Sequence, residues 1–433
     1  MKSLVSTLAG GLALALAILL PSAVPARAAA TASDTLRFAP QPPEAVITDE
    51  EHAEGHFGHA ESWRGAPFGD HLLTPSAQWR GEGRRHQRVD LHVDYNRVDP
   101  LRIGVSAQAQ APGTLYPRLG ARYELATGRE RGLYGFQLEQ PLMRSGRYAV
   151  GVSAVRVTDH LDLQQVDDLE NSLALLLARN DYRDYFEREG VGAYLAWRVP
   201  DFSDVSVHLR SDDYRSIPLY ASTRSWFRRD RPLRDNPPIN PGRARTATLR
   251  LERLAHLAHR TRAGFYHWIE IERAGRRLGG DFDYTRALAD LRAVVRVSPA
   301  GTLTLRGVAG TTPSGTLPSQ KEFALGGADG LRAHALGEFR GNQVALVQAE
   351  YGAGLWRLHS RAFEGGLHAL AFLDAGRAWT NPDHGWDASR QPFAVDAGVG
   401  LGSSEDNLRL YLARNLQQPG SGVVVSVRLQ RPF

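Results

Sequence analysis

Few residues in this 433-residue chain combine the types and spacing that chemistry requires. His52, His56 and His59 are close enough in sequence to hold a metal ion. No carboxylate or cysteine pattern frames them, however, and their Pro-, Gly- and Glu-rich surroundings read as a solvated linker. His208, Ser211 and Asp212 are the types that a barrel-rim hydrolase would use, although polar residues lining a wet interior are the ordinary reading. There is no Gly-x-Ser-x-Gly elbow, no His-Glu-x-x-His and no phosphate-binding glycine loop. The absence of cysteine removes disulfides, thiolate metal or catalytic sites and a lipidated N-terminal Cys. No enzyme activity, catalytic residue, metal or cofactor is therefore expected. The most informative run is Leu325-Gly326-Gly327-Ala328-Asp329-Gly330-Leu331-Arg332-Ala333-His334, continued by Gly337-Glu338-Phe339-Arg340-Gly341-Asn342 and, further on, by Phe372-Leu373-Asp374-Ala375-Gly376. Gly326, Gly327 and Gly330 permit the positive φ angles that a sharply re-entrant loop needs.

The elements around these residues alternate with a period of two from Val89 onward. Leu119, Ala121, Tyr123 and Leu125 oppose Arg118, Arg122 and Glu124; Val205, Val207 and Leu209 oppose His208, Arg210 and Asp212; Ala345, Val347, Ala349 and Tyr351 oppose Gln348 and Glu350. The same alternation puts Asp374 on a polar face. Segments of about 9 to 13 residues match tilted strands that cross a bilayer and exceed soluble strands of about five or six. The predicted fold is an all-β, transmembrane antiparallel barrel of about sixteen strands, with fourteen or twelve as alternatives, because both ends of such a barrel normally lie on one side of the membrane. Ten strands are expected between Leu101 and Ala309, one at Val89 to Tyr95 and five after Gly341. The last alternates Val423, Val425, Val427 and Leu429 against Ser426, Arg428 and Gln430 and ends in Phe433, a terminal aromatic typical of barrels of the outer membrane. Arg431 and Pro432 suggest that its extreme end pairs loosely.

One stretch breaks the alternation. Val166 to Phe186 carries Leu169, Leu173, Leu176 and Leu177 at helical spacing, which predicts an inserted helix at the barrel rim or partly inside it. Short links such as the one at Ser145 and Gly146 read as periplasmic hairpins, and Ser216 to Gly242 as a long external loop.

Residues 1–30, with Lys2, an apolar run from Leu8 to Leu20 and a following Ala-rich patch, have the layout of a secretory signal. Residues 31–87 read as an extended or disordered periplasmic segment and 88–433 as the barrel, with an in-folded loop at 312–342. A mean hydropathy of −0.34 and 23% charged residues suit a barrel whose strands each turn one face to a wet lumen. The net charge of +5 fits a basic lumen or contact with anionic lipopolysaccharide, and nucleic acid is not an expected partner of an exported chain.

The loop and the later Phe-Leu-Asp-Ala-Gly run resemble those of the BamA/TamA superfamily of bacterial surface antigens, the outer-membrane insertases and translocases. The resemblance covers roughly Val89 to Phe433 and is strongest over the last 110 residues. In that family a long loop folds back into the barrel, and the arginine at its tip contacts an aspartate of a Phe-x-Asp-x-Gly motif on the inner wall. Arg332 matches that arginine, Asp374 the aspartate, Phe372 and Gly376 its flanking positions, and Gly326 and Gly327 the Gly-Gly element. Five strands after the loop is also the family arrangement, and Asn96-Arg97-Val98-Asp99 resembles a segment at the barrel start. Ala333 stands where the family has glycine and His334 where it has an aromatic residue. The segment before Val89 is too short and lacks the βααββ pattern for a POTRA domain, so the resemblance implies a branch without one. It further implies a role in assembling or exporting other proteins, with unfolded barrel or secreted polypeptides as partners and the barrel assembly machinery needed for its own insertion. A passive, plugged or structural barrel is the alternative. The Arg332–Asp374 contact would offset part of the conformational entropy lost in ordering the loop.

Overall fold

Alternating strands bury one face each, and here the buried face is the polar one. The computed structural model describes residues 86–433 apart from 111–114, 200–202, 221–222, 228–231, 254–262, 361–362, 404–407, 419 and 430–433. The proposed signal, the segment up to Arg85, His52, His56, His59, Arg431, Pro432 and Phe433 lie outside the described residues. Sixteen antiparallel strands form one sheet in chain order, each paired with its sequence neighbours. They begin with β1 (His86–Asp94), β2 (Arg102–Gln110), β3 (Arg118–Ala126), β4 (Arg131–Pro141) and β5 (Tyr148–His160). After one α-helix, α1 (Asp168–Ala178), come β6 (Tyr185–Val199), β7 (Ser203–Ser216), β8 (Gly242–Glu252), β9 (Gly264–Ala274), β10 (Tyr284–Ser298) and β11 (Gly301–Gly315). A two-stranded ribbon, β12 (Phe323–Leu325) with β13 (Phe339–Gly341), precedes the last five: β14 (Gln343–Ser360), β15 (Phe363–Trp379), β16 (Ala394–Ser403), β17 (Arg409–Asn415) and β18 (Val424–Arg428).

The expected division of ten strands, one before them and five after the loop holds. Strand lengths are more varied than the expected 9 to 13, from 5 residues in β18 to 18 in β14. Polar residues can continue a strand above the lipid, so β11 runs on to Gly315 and the re-entrant segment begins at 316 rather than 312. Links of more than twenty residues follow β5, β7 and β11 on one rim, while the other rim carries turns such as the hairpin at 142–147.

Val89, Leu91, Val93, Tyr123, Phe136, Leu209, Leu249, Leu373 and Leu412 are exposed, whereas Asp90, Arg118, Glu139, Arg250, Glu270, Asp290, Arg306, Gln348 and Asp374 are buried. Exposed apolar and buried charged side chains at alternate positions suit a chain whose outer solvent is lipid and whose interior satisfies its own charges. Arg250 donates to Glu270 at 2.9 Å, and Asp290 is held by Arg292 and Arg306 at 2.8 Å.

The lumen is not polar throughout. Leu288, Val308, Val344 and Leu346 turn inward and form a core with Phe323, Leu325 and Leu331 of the loop between β11 and β14. The alternation is therefore overridden where an inserted segment supplies apolar cover.

Candidate functional site: the lumen dock of the loop between β11 and β14

The register of the last strands brings two carboxylates together on the inner wall. Asp374 of β15 lies opposite Asp396 of β16, and Gln348 of β14 lies opposite Asp374 on its other side. Like charges directly opposite each other destabilise a sheet. The loop tip compensates both. Arg332 donates from Nε to Asp374 Oδ2 at 2.8 Å and from Nη2 to Oδ1 at 3.0 Å, a bidentate pair, while its Nη1 donates to Glu350 at 2.9 Å. The backbone N–H of Ala333 donates to Asp396 at 2.7 Å, and the His334 ring nitrogen Nδ1 lies 3.1 Å from the same carboxylate.

Aromatic faces complete the seat. The Arg332 guanidinium carbon stands 3.7 Å from the centroid of Phe372 and 4.9 Å from that of Tyr411, and the two rings meet edge to face. The Tyr411 hydroxyl donates to Glu350 at 2.9 Å. Both Arg332 and Asp374 side chains are essentially withdrawn from solvent, at 1% and 0% exposure. A paired, stacked guanidinium in a restricted lumen holds the tip in one place.

The backbone makes this approach feasible at four glycines. Gly326 has φ 120°, and a Cβ there would lie 2.2 Å from the carbonyl oxygen of Ala335; Gly327 has φ 86°. On the wall, a Cβ on Gly376 would meet the Ala345 carbonyl at 2.7 Å and Leu325 at 3.1 Å, so its missing side chain lets the loop lie against β15. Gly330 does not carry the expected positive φ; its role is close approach, since a Cβ there would lie 2.8 Å from Leu325 Cδ1. Further support comes from Gln348, which donates to Asp374 at 3.1 Å and to the Gly330 carbonyl at 2.8 Å, and from Arg306, which donates to the Asp329 carbonyl at 2.8 Å.

The structure thus brings Arg332, Asp374, Phe372, Gly376, Gly326 and Gly327 into one locus. It adds Glu350, Asp396, Tyr411 and Gln348, which the sequence reading did not single out. Inward aspartates at equivalent heights of two successive strands, Asp374 and Asp396, are the signal that points to the wall site. His334, in place of an aromatic residue, keeps a ring contact with Phe339 at 5.2 Å and gains hydrogen-bonding neighbours in Asp396 and Asn415.

A second ionic hub sits among the long links. Asp184, just before β6, is bonded by Arg97 of the link after β1 at 3.0 Å, by Arg234 of the link after β7 and by Arg340 of β13. Burial would raise the pKa of this carboxyl, but Arg234, Arg340 and Arg97 bring it below the ordinary aspartate value. Asn96 accepts from the backbone N–H groups of Val98 and Asp99, which turns the chain so that Arg97 points inward.

His208, Ser211 and Asp212 do not converge. His208 lies 2.9 Å from Ser206, Asp212 accepts from Arg210 at 2.8 Å, and Ser211 lies on the alternate face of β7 from both.

No protein-family model and no curated protein sequence matches this chain. Among solved structures it is similar to BamA from Haemophilus ducreyi lacking POTRA domains 1-3, with 13% identity and a TM-score of 0.51 over 80% of this chain and 70% of that one. It also matches CdiB from Acinetobacter baumannii, with 13% identity and a TM-score of 0.40 over 86% and 71% of the two chains, and CdiB from Escherichia coli, with 12% identity and a TM-score of 0.45 over 79% and 61%. The first of these likenesses, with the sixteen-stranded sheet, the inside-out burial and the loop docked on β15, identifies the fold: this chain is folded as a transmembrane β-barrel of the outer-membrane type, similar to that of BamA.

Proposed function

We propose that this protein resides in the outer membrane of a Gram-negative cell, exported by its N-terminal signal, and that it assembles or translocates other polypeptides at the seam between β1 and β18. The observation that carries this reading is the state of that seam. Among the described residues no ladder joins the two strands, and β18 pairs with β17 over only five residues. Edge strands present unsatisfied backbone groups that another strand can use. The long links are assigned to the cell exterior and the short turns to the periplasm, as bacterial barrels usually place them. Membrane lipid and lipopolysaccharide would surround the barrel, the assembly machinery would insert it, and unfolded barrel or secreted proteins would be its clients.

Depletion in the native host tests the reading. Clients should accumulate unfolded in the periplasm when the protein is removed; complete assembly and secretion of all other outer-membrane and exported proteins would sink it.

A second reading, a plugged pore or structural barrel without insertase activity, is favoured by the loop tip and α1, which are bonded to residues on the lumen wall. In planar bilayers, a silent wild type and a conducting Arg332→Ala variant would support this reading.

A further inference from the structure

The helix α1 is built inside out. Its buried positions are Glu170, Asn171, Ser172 and Leu175, while Leu169 and Leu177 are exposed and Leu173 and Leu176 half-exposed. At 100° per residue the four leucines 169, 173, 176 and 177 share one arc of about 100°, flanked on one side by Glu170 and on the other by Ser172, with Asn171 and Leu175 opposite. An amphipathic helix in a watery lumen would turn its leucines to the wall.

The polar side is bonded to both edge strands of the barrel. The Ser172 hydroxyl donates to Asp94 of β1 at 2.6 Å, and the N–H of Tyr95 donates to the Ser172 oxygen at 2.9 Å. Glu170 accepts from Arg428 of β18 and from the backbone N–H of Leu429 at 3.0 Å. Asp94 and Arg428 are the lumen-facing residues of their strands, alternating with Val93 and Val427, which face outward. α1 thus spans the two strands that no described ladder joins. Its length, about 16 Å, covers about half of a hydrocarbon core of about 30 Å.

Apolar side chains are also exposed on β1 and on the link after β7. Val89, Leu91 and Val93 of β1 are 68%, 77% and 68% exposed, against 48% for Leu249 on the inner strand β8, as befits an edge without a neighbouring strand. Trp226, whose backbone N–H bonds the Leu176 carbonyl at 2.6 Å, and Phe227 are exposed near the end of the helix.

We propose that α1 serves as a piece of the barrel wall, filling the seam between β1 and β18 so that Leu169, Leu173, Leu176 and Leu177 contact the acyl chains of the bilayer. The proposal rests on the reading of the chain as a membrane-spanning barrel. The same inside-out burial that marks the strands as lipid-facing marks the helix, whose polar residues are bonded to the inward-facing Asp94 and Arg428 of the two edge strands.

The chain has no native cysteine, so single cysteines report cleanly. The full-length protein, with cysteine at Leu169, Leu173 or Leu177, at Leu91 as the lipid-facing reference and at Ser106 as the lumen reference, is labelled with bimane and reconstituted in brominated phosphatidylcholine vesicles. Fluorescence lost at the three helix positions should equal the loss at Leu91 and exceed that at Ser106, and a membrane-impermeant maleimide should not react there in reconstituted, unlabelled protein. Quenching at Leu91 but not on the helix, with rapid maleimide reaction, places the leucines in lumen water and overturns the proposal. Neither quenching nor reaction on the helix means cover by protein, and overturns it too. No quenching at Leu91 removes the membrane-barrel reading itself, and the proposal with it. Leu173→Met, labelled at Leu169→Cys, separates a lost helix from lost lipid contact: it keeps the helix and should keep the quenching.

Discussion

Arg332 is bonded to two carboxylates, Asp374 and Glu350, in a site closed to solvent. Replacing it with alanine takes the guanidinium from buried Asp374, while Glu350 keeps Arg409. Loss of one partner of such a pair costs about 3–5 kcal/mol. The Arg332→Ala barrel is therefore expected to unfold at lower temperature, read by the heat-dependent shift in gel mobility, and Arg332→Lys should recover only part of the loss because an ammonium lacks the planar fork. An unchanged transition in both variants would show that the tip is not anchored there. Asp184 supports a prediction in pH. Its folded pKa lies below the unfolded value of about 3.9, so its contribution is complete above that value and is lost as pH falls through the folded pKa. Stability should stay level through neutral pH down to about pH 5 as far as this group is concerned, then fall in more acid solution, and Asp184→Asn should be less stable at pH 7 with a shallower acid decline.

At the level of elements, the re-entrant loop depends on backbone that only glycine tolerates. Gly326→Ala forces a side chain into positive φ and onto the Ala335 carbonyl. The strain is of order 1–3 kcal/mol. Protease nicking between Leu317 and Asn342 should become faster in that variant while the strands stay resistant; equal protection would count against a tightly docked loop. For α1, Glu170→Gln removes the charge that holds Arg428, although Asp329 still accepts from it at 2.9 Å. Amide exchange across Val424–Arg428 should quicken while the central strands β10 and β11 remain unchanged. The helix was legible in the leucine spacing within 166–186, and it runs over Asp168–Ala178, ended by Arg179 at φ 57°. That the leucines face away from the buried side was not legible, since periodicity gives an arc and not its direction.

Across the whole molecule, strand number and order followed from alternation and from the rule that such barrels have an even count. The links drawn together around Asp184 were not readable, because Arg97, Arg234 and Arg340 are up to 243 positions apart and carry no shared pattern. Three arginines from three links on one carboxylate hold the long-link rim as a unit. Substituting Arg97 and Arg340 by glutamine in turn and together should therefore show coupling, the double variant losing less than the sum of the single losses, as neighbours in one network do. Additive losses in thermal stability would mean that the links are held independently.

By itself the sequence determined the barrel: period-two alternation decides which face of each strand meets lipid, and chain-order pairing then follows from short connections. Alternation put Asp374 on a polar face, and the family resemblance implied its partner Arg332, 42 positions away, with which it lies in contact. Only the tertiary structure decided what surrounds them, because register between strands places Asp396 and Gln348 beside Asp374, and a slip of one residue would turn each to the lipid. It also decided that α1 spans β1 and β18, since a helix joined to β5 and β6 reaches the seam through the lumen and not along the chain.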